Sequence, residues 1–186
     1  MINKKDMMSD IGEVLISEEQ IAARIKELGK QISEDYKGEE IVMIGILKGV
    51  IPFYAALAQS ITLQLQQDFM SVSSYGAGTV SSGKLIIRKD IDIDIRGKHV
   101  LIVEDILDSG RTLRGVMQMF EAREPASLKI CTLLDKPAGR VEQVEAAYAG
   151  FTVPDAFVVG CGLDYAGYYR NLPFVGVLKP EVYQNK

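Results

Sequence analysis

Along this chain, blocks of continuous apolar residues alternate with stretches in which apolar positions recur every three or four. Ser17-Glu18-Glu19-Gln20 has the form of a capping box, a hydroxyl N-cap with a partner three residues on that can reach back to its amide. Ile21, Ile25, Leu28 and Ile32 follow at helical spacing, which predicts an amphipathic helix to about Tyr36, stopped by Lys37-Gly38. Residues 41–47 form an apolar run of strand length, suited to a parallel strand buried on both faces. Pro52 opens a helix to about residue 60, and residues 63–72 read as extended. Residues 73–84 (SSYGAGTVSSGK) are small, polar and rich in Gly and Ser, a loop of the length often used as a mobile lid.

The alternation continues beyond that loop. Residues 85–88 resume a strand, Arg96-Gly97-Lys98 makes a turn, and residues 100–103 are a second buried strand. Residues 110–122 read as a helix with Leu113, Val116, Met117 and Phe120 on one face, ending before Pro125. A third buried strand covers 128–134, and shorter apolar segments occupy 144–151, 157–159 and 174–178. Strands alternating with helices predict an α/β protein with a parallel twisted sheet flanked by helices. The expected organisation is a single domain over 1–186, its core at about 38–150 and a small hood from about 1–37 and 151–186.

Composition adds limits rather than a function. Hydrophobic residues make up 47% and charged residues 25% of the 186, ordinary for a globular domain. No apolar run approaches the roughly 20 residues of a membrane span, and the polar first ten residues lack a signal-peptide core, so a cytoplasmic protein is expected. The net charge of −4 argues against nucleic acid as the main partner. Cys131 and Cys161 have no CxxC pairing that would suggest zinc. His99 is the only histidine, which excludes a multi-histidine metal site, and its place at the start of an apolar strand suggests a structural role.

Chemistry concentrates where the second buried strand ends. Glu104, Asp105 and Asp108 lie within five residues, followed by Ser109-Gly110-Arg111-Thr112 at a helix start. Open α/β sheets bind ligands at the carboxyl ends of their strands, and a helix N-terminus offers unpaired N–H groups to an anion. The segment therefore presents acids first and a phosphate cradle second. Acids this close repel one another, and a ligand bringing hydroxyls and a divalent cation would relieve them.

The order VLIVEDILDSGRTL (100–113) resembles the phosphoribosyl-pyrophosphate (PRPP) motif of the 6-oxopurine phosphoribosyltransferases: two acids after four apolar residues, then D-[ST]-G-x-T. The resemblance implies the type I phosphoribosyltransferase fold and transfer of a 5-phosphoribosyl group from PRPP to hypoxanthine or guanine, with Mg²⁺ as cofactor. It implies that Glu104 and Asp105 engage the ribose hydroxyls directly or through Mg²⁺. Backbone and side chains of residues 108–112 would hold the 5′-phosphate, with Asp108 also the general base on the purine. Lys48-Gly49 after the first buried strand matches the family's pyrophosphate loop, where a non-proline cis peptide occurs, and Arg170 would also contact pyrophosphate. Ser74-Tyr75-Gly76 resembles the loop that closes over the ribosyl centre. In Asp135-Lys136-Pro137, Lys136 would donate to the purine O6, a choice that suits a 6-oxo group because an ammonium has only donors. In PDAFVVG and LDY, Phe157 would stack on the base, the Val158 backbone would bind its edge, and Asp164 would hold a second Mg²⁺ and line the base pocket. The same resemblance implies a homo-oligomer, dimer or tetramer.

Two competing readings are weaker. Gly78–Lys84 fits GxxxxGK, but Leu85 stands where a P-loop needs Ser or Thr, and a strand rather than a helix is predicted to follow. A regulator of this fold that binds nucleic acid would carry a basic surface and often lacks the base at Asp108, whereas this chain is acidic and has it. Lys136 with Phe157 likewise opposes adenine, uracil or orotate as the acceptor.

Overall fold

The computed structural model describes residues 4–74 and 85–184. Tyr75 and the GxxxxGK segment lie outside them. The elements in chain order are α1 (Lys4–Ser9), β1 (Ile11–Ile16), α2 (Glu18–Asp35), β2 (Ile41–Leu47), α3 (Ile51–Ser60), β3 (Leu65–Ser74), β4 (Leu85–Lys89), β5 (His99–Leu107), α4 (Arg111–Glu121), β6 (Ser127–Asp135), β7 (Tyr148–Thr152), β8 (Val158–Val159), β9 (Val175–Leu178) and α5 (Pro180–Tyr183). The strands make two sheets. The larger has the order β4-β3-β2-β5-β6-β7, parallel throughout except for the antiparallel edge strand β4. The smaller, β1-β9-β8, is antiparallel.

Side-chain alternation along the central strands sorts the core into two layers. Val42, Ile44, Val100, Ile102 and Ile130 face α4 through Leu113, Val116 and Phe120. Ile41, Met43, Leu101, Val103, Cys131 and Leu133 face the other way, onto α2 and α3 through Ile25, Leu28, Phe53 and Leu57. A sheet covered on both faces explains the uninterrupted apolar runs. The capping box forms as expected: the Gln20 amide donates to Ser17 Oγ at 3.3 Å, and the Ser17 amide to Gln20 Oε1 at 2.8 Å. α2 packs against α3 and β7, on the large sheet. His99 sits with Nδ1 2.8 Å from Ser127 Oγ, bracing β5 against β6. Both cysteines are buried and free.

Four differences from the sequence reading have local causes. β1 was not anticipated because only its last residue is buried and Val14 is exposed, so it shows no alternation; pairing with β9 makes it a strand. β3 continues through Ser73 and Ser74, residues expected in the loop, because β4 pairs with them. β5 runs on to Leu107, past its apolar core, because the ladder with β6 continues from Glu104 opposite Thr132 to Leu107 opposite Asp135. Residues 144–147 are not strand: the ladder of β7 begins at Tyr148, and the Val144 carbonyl accepts a hydrogen bond from Arg140.

Asp68 on β3 ties the sheet to the segment before β5. It accepts from its neighbour Phe69 N–H at 2.7 Å, from Asp92 N–H at 2.6 Å and Ile93 N–H at 3.1 Å, and from Lys89 Nζ at 3.3 Å. Burial pushes its carboxyl upward, but the three amides and Lys89 outweigh this and hold it below its ordinary value. A group depressed in the folded state stabilises at pH above about 4, the unfolded aspartate value, and loses that contribution as pH falls toward the folded value. Asp68→Asn is expected to cost about 1–3 kcal/mol at pH 7 and to flatten the loss of stability on acidification. Denaturant unfolding between neutral pH and pH 3 measures both; an equally steep acid decline in the variant would contradict this account.

Candidate active site

The carboxyl ends of β2, β5 and β6 meet on one edge of the large sheet, and the residues after them build the site. Glu104 and Asp105 belong to β5 itself rather than to the turn after it. Asp105 is 8% exposed, and Glu104 Oε2 is buried with no hydrogen-bond partner. Burial, then repulsion from Asp105, pushes the Glu104 carboxyl well above its usual range. Burial also raises Asp105, opposed by Glu104, by its bond from Ile106 N–H at 2.8 Å and by the charge of Arg170. The adjacent pair therefore favours sharing a proton over carrying two charges.

Beyond β5 the chain turns sharply. Gly110 takes a left-handed conformation (φ 80°) as the N-cap of α4, so the amides of the first turn open toward the sheet edge. Glu104, Ile106, Asp108, Ser109, Gly110 and Thr112 line a cavity of about 130 Å³ there. It has the donors and the helix end that a phosphate requires.

Asp108 and Lys136 come together across the ends of β5 and β6, with Lys136 Nζ 3.0 Å from Asp108 Oδ2 and 3.4 Å from Asp155 Oδ1. Burial works against the Lys136 charge, but Asp108 and then Asp155 overcome it, so the ammonium is held above its ordinary value. Gly139 supplies the space: a Cβ there would lie 1.9 Å from Asp108 Oδ1. Behind them lies Arg140, which the sequence reading missed. Its guanidinium donates to the Asp108 carbonyl at 2.9 Å, the Leu107 carbonyl at 3.2 Å, the Val144 carbonyl and the Asp135 carboxylate. One planar donor thus joins the turn after β5 to the last residue of β6, next to Lys136. An arginine after Gly in a Pro-Ala-Gly turn gives no sequence signal of that task, and nor does Asp155, two residues before Phe157.

The peptide bond between Leu47 and Lys48 is cis, as the resemblance implied. Gly49 packs so closely on the acid pair that a Cβ would lie 1.6 Å from Asp105 Oδ2 and 3.3 Å from Arg170 Nη1. Arg170 is fixed by Asp164 Oδ1 at 2.6 Å and by the Gly162 carbonyl at 2.6 Å. Lys48 is exposed beside this group. Val158 lies in β8, and Phe157 just before it is 38% exposed. Ser74 ends β3 opposite Leu85.

The structure thus gathers Lys48, Gly49, Glu104, Asp105, residues 108–112, Lys136, Asp164 and Arg170 around one sheet edge, with Phe157 two residues from Asp155. Among the described residues no three His, Cys, Asp or Glu side chains converge on one metal position. Asp164 instead pairs with Arg170, apart from Glu104 and Asp105. An unpartnered buried carboxyl oxygen in a repelling pair fits a cation held by one or two acids and completed by ligand oxygens and water, the usual habit of Mg²⁺.

Comparison with known proteins agrees with this geometry. Residues 15–166 match the phosphoribosyl transferase domain. The chain is 54% identical over 177 residues to a hypoxanthine-guanine phosphoribosyltransferase of Streptococcus pneumoniae, covering 95% of this chain and 98% of the relative. It is 53% identical to the enzyme of that name from Bacillus subtilis, covering 96% and 99%. The crystal structure of a hypoxanthine phosphoribosyltransferase from Staphylococcus aureus superposes with a TM-score of 0.95 at 49% identity, over the whole of both chains. The chain belongs to the phosphoribosyl transferase family, in its hypoxanthine-guanine phosphoribosyltransferase branch.

Proposed function

We propose that this enzyme serves purine salvage, transferring the 5-phosphoribosyl group of PRPP to hypoxanthine or guanine to give IMP or GMP and pyrophosphate. The observation that carries this reading is the Asp108–Lys136 pair, 3.0 Å apart, at a phosphate-sized cavity that Asp108 lines together with the buried Glu104. A 6-oxopurine presents an acceptor, O6, next to an acidic N–H at N7. Lys136 matches the first and Asp108 the second.

In the reaction the bond from C1′ to the pyrophosphate oxygen breaks as N9 bonds to C1′, and the purine N7 proton passes to Asp108. The ribosyl centre gains positive charge on the way, which the carboxylates of β5 favour. Residues 108–112 hold the 5′-phosphate and fix C1′. Lys48, the Gly49 backbone and Arg170 take the pyrophosphate. Glu104 and Asp105 face the ribose hydroxyls and would hold one Mg²⁺, and Asp164 would help hold a second near the pyrophosphate. When bound, Mg²⁺ supplies charge neutralisation for the leaving diphosphate. Phe157 stacks on the base and Val158 binds its edge. By the family resemblance, Ser74 and Tyr75 would belong to a loop that excludes water, whose attack on PRPP is the competing reaction; Tyr75 lies outside the described residues. In this reading β1, β8 and β9 act as a hood over the base. Family membership further supports a homo-oligomer, dimer or tetramer, working in the cytoplasm.

Two substitutions separate the assigned roles. Asp108→Asn is expected to lower kcat by roughly 10²–10⁴, the range for a positioned acid–base group, and near-normal turnover would remove Asp108 from that role. Lys136→Gln is expected to weaken 6-oxopurines by about 1–3 kcal/mol through loss of one charge-assisted bond. Steady-state kinetics with hypoxanthine, guanine and adenine read this directly, and unchanged base selectivity would contradict the O6 assignment.

A further inference from the structure

The ring of Phe157 does not stand alone. Tyr183, in the C-terminal α5, lies parallel to it with centroids 4.8 Å apart and an interplanar angle of 22°. Tyr165 meets Phe157 edge to face at 5.6 Å and Tyr183 at 6.4 Å. Phe157 nonetheless remains 38% exposed, so a large part of its surface is still open for a ligand.

Tyr183 is rooted in the apolar cluster of the small sheet. With Tyr165 and Val182 it packs on the cluster of Met7, Val159, Tyr169, Leu172 and Leu178, within the small sheet. α5 is fixed there by Pro180 at its first turn and by Lys179 N–H, which donates to the Asp10 carbonyl at 2.9 Å. Two residues before Phe157, Asp155 reaches Lys136 at 3.4 Å and so ties the approach to Phe157 to the large sheet. Phe157 is thus joined to the catalytic pair through Asp155 and to the small sheet through Tyr183.

We infer that Tyr183 is a positioning residue for the purine: it backs Phe157 and holds that ring flat for the incoming base. This rests on the reading of Phe157 as the ring that stacks on the base. A free phenylalanine at a pocket mouth would lose rotamer freedom on each binding event, and a ring already stacked has lost it beforehand. Offset parallel rings supply the restraint. Because Tyr183 acts through a ring face and not through a hydrogen bond, its effect is the same for hypoxanthine and guanine. PRPP, held by other residues of the site, does not sense it, because the ring contacts of Tyr183 are with Phe157 and Tyr165.

The experiment compares Tyr183→Ala, Tyr183→Phe and Phe157→Ala with the parent enzyme, measuring KM separately for each base and for PRPP, with kcat and Tm. Tyr183→Ala is expected to raise KM for both bases by a common factor of roughly 2 to 12, the range of one aromatic pair, with KM for PRPP within twofold. Tyr183→Phe is expected to restore the parental base KM. Tyr183→Leu, which retains bulk without a ring, should behave as the Ala variant and serves if Ala destabilises α5. An unchanged base KM in the Ala or Leu variant overturns the inference. So does a base KM that falls, since Tyr183 would then occupy the base's own place, and so does an equal rise for PRPP. If Phe157→Ala raises the base KM while the Tyr183 variants do not, only the backing role fails. If Phe157→Ala has no effect, the stacking assignment beneath it fails as well.

Discussion

Two carboxyl groups buried side by side at the end of β5 set the terms for the rest of the site. Charges about 4 Å apart repel by roughly 4 kcal/mol at an effective dielectric near 20, and burial removes the water that would screen them. Burial pushes both carboxyls above their ordinary range, which favours a proton on the pair, and the charge of Arg170 opposes the shift at Asp105. Gly49 lets a backbone turn come against Asp105 where any side chain would collide. The neighbouring cradle and the pyrophosphate turn are both shaped for anions. A ligand that brings phosphates, hydroxyls and a divalent cation together satisfies all three at once, and PRPP is such a ligand.

The second constraint is mechanical. Asp108 and Lys136 follow different strands, and the proposed reaction requires both to reach one planar base within hydrogen-bond distance. Arg140 supplies the brace, joining the Leu107 and Asp108 carbonyls to the Asp135 carboxylate next to Lys136. A change in the distance between β5 and β6 would therefore be felt at Lys136 and at the turn of residues 108–112 together. Beside the small sheet, Tyr183 and Tyr165 contact the ring of Phe157 as Arg140 contacts the Asp108 backbone.

The central sheet was legible because both its faces are buried, so that residues 41–47, 100–103 and 128–134 write their strands as apolar runs. α2 was legible through its capping box and four-residue periodicity. The acid pair and cradle were legible because they lie within one continuous stretch, 104–112. Contacts made by pairing were not. β1 has no pattern of its own and exists because β9 is beside it. Arg140, Asp155 and Tyr183 act across long sequence separations on residues that were themselves found, and a side chain that serves another side chain leaves no local spacing to read.

The central claim is that the acid pair, the cradle and the Asp108–Lys136 pair together form one PRPP-dependent site for 6-oxopurines. Initial rates of pyrophosphate release from PRPP with hypoxanthine, guanine, xanthine or adenine, each with Mg²⁺ and again with the metal chelated, test it most directly. Release is expected with hypoxanthine or guanine, only with the metal, and not with adenine. Equal release with adenine, or undiminished release after chelation, would contradict the account.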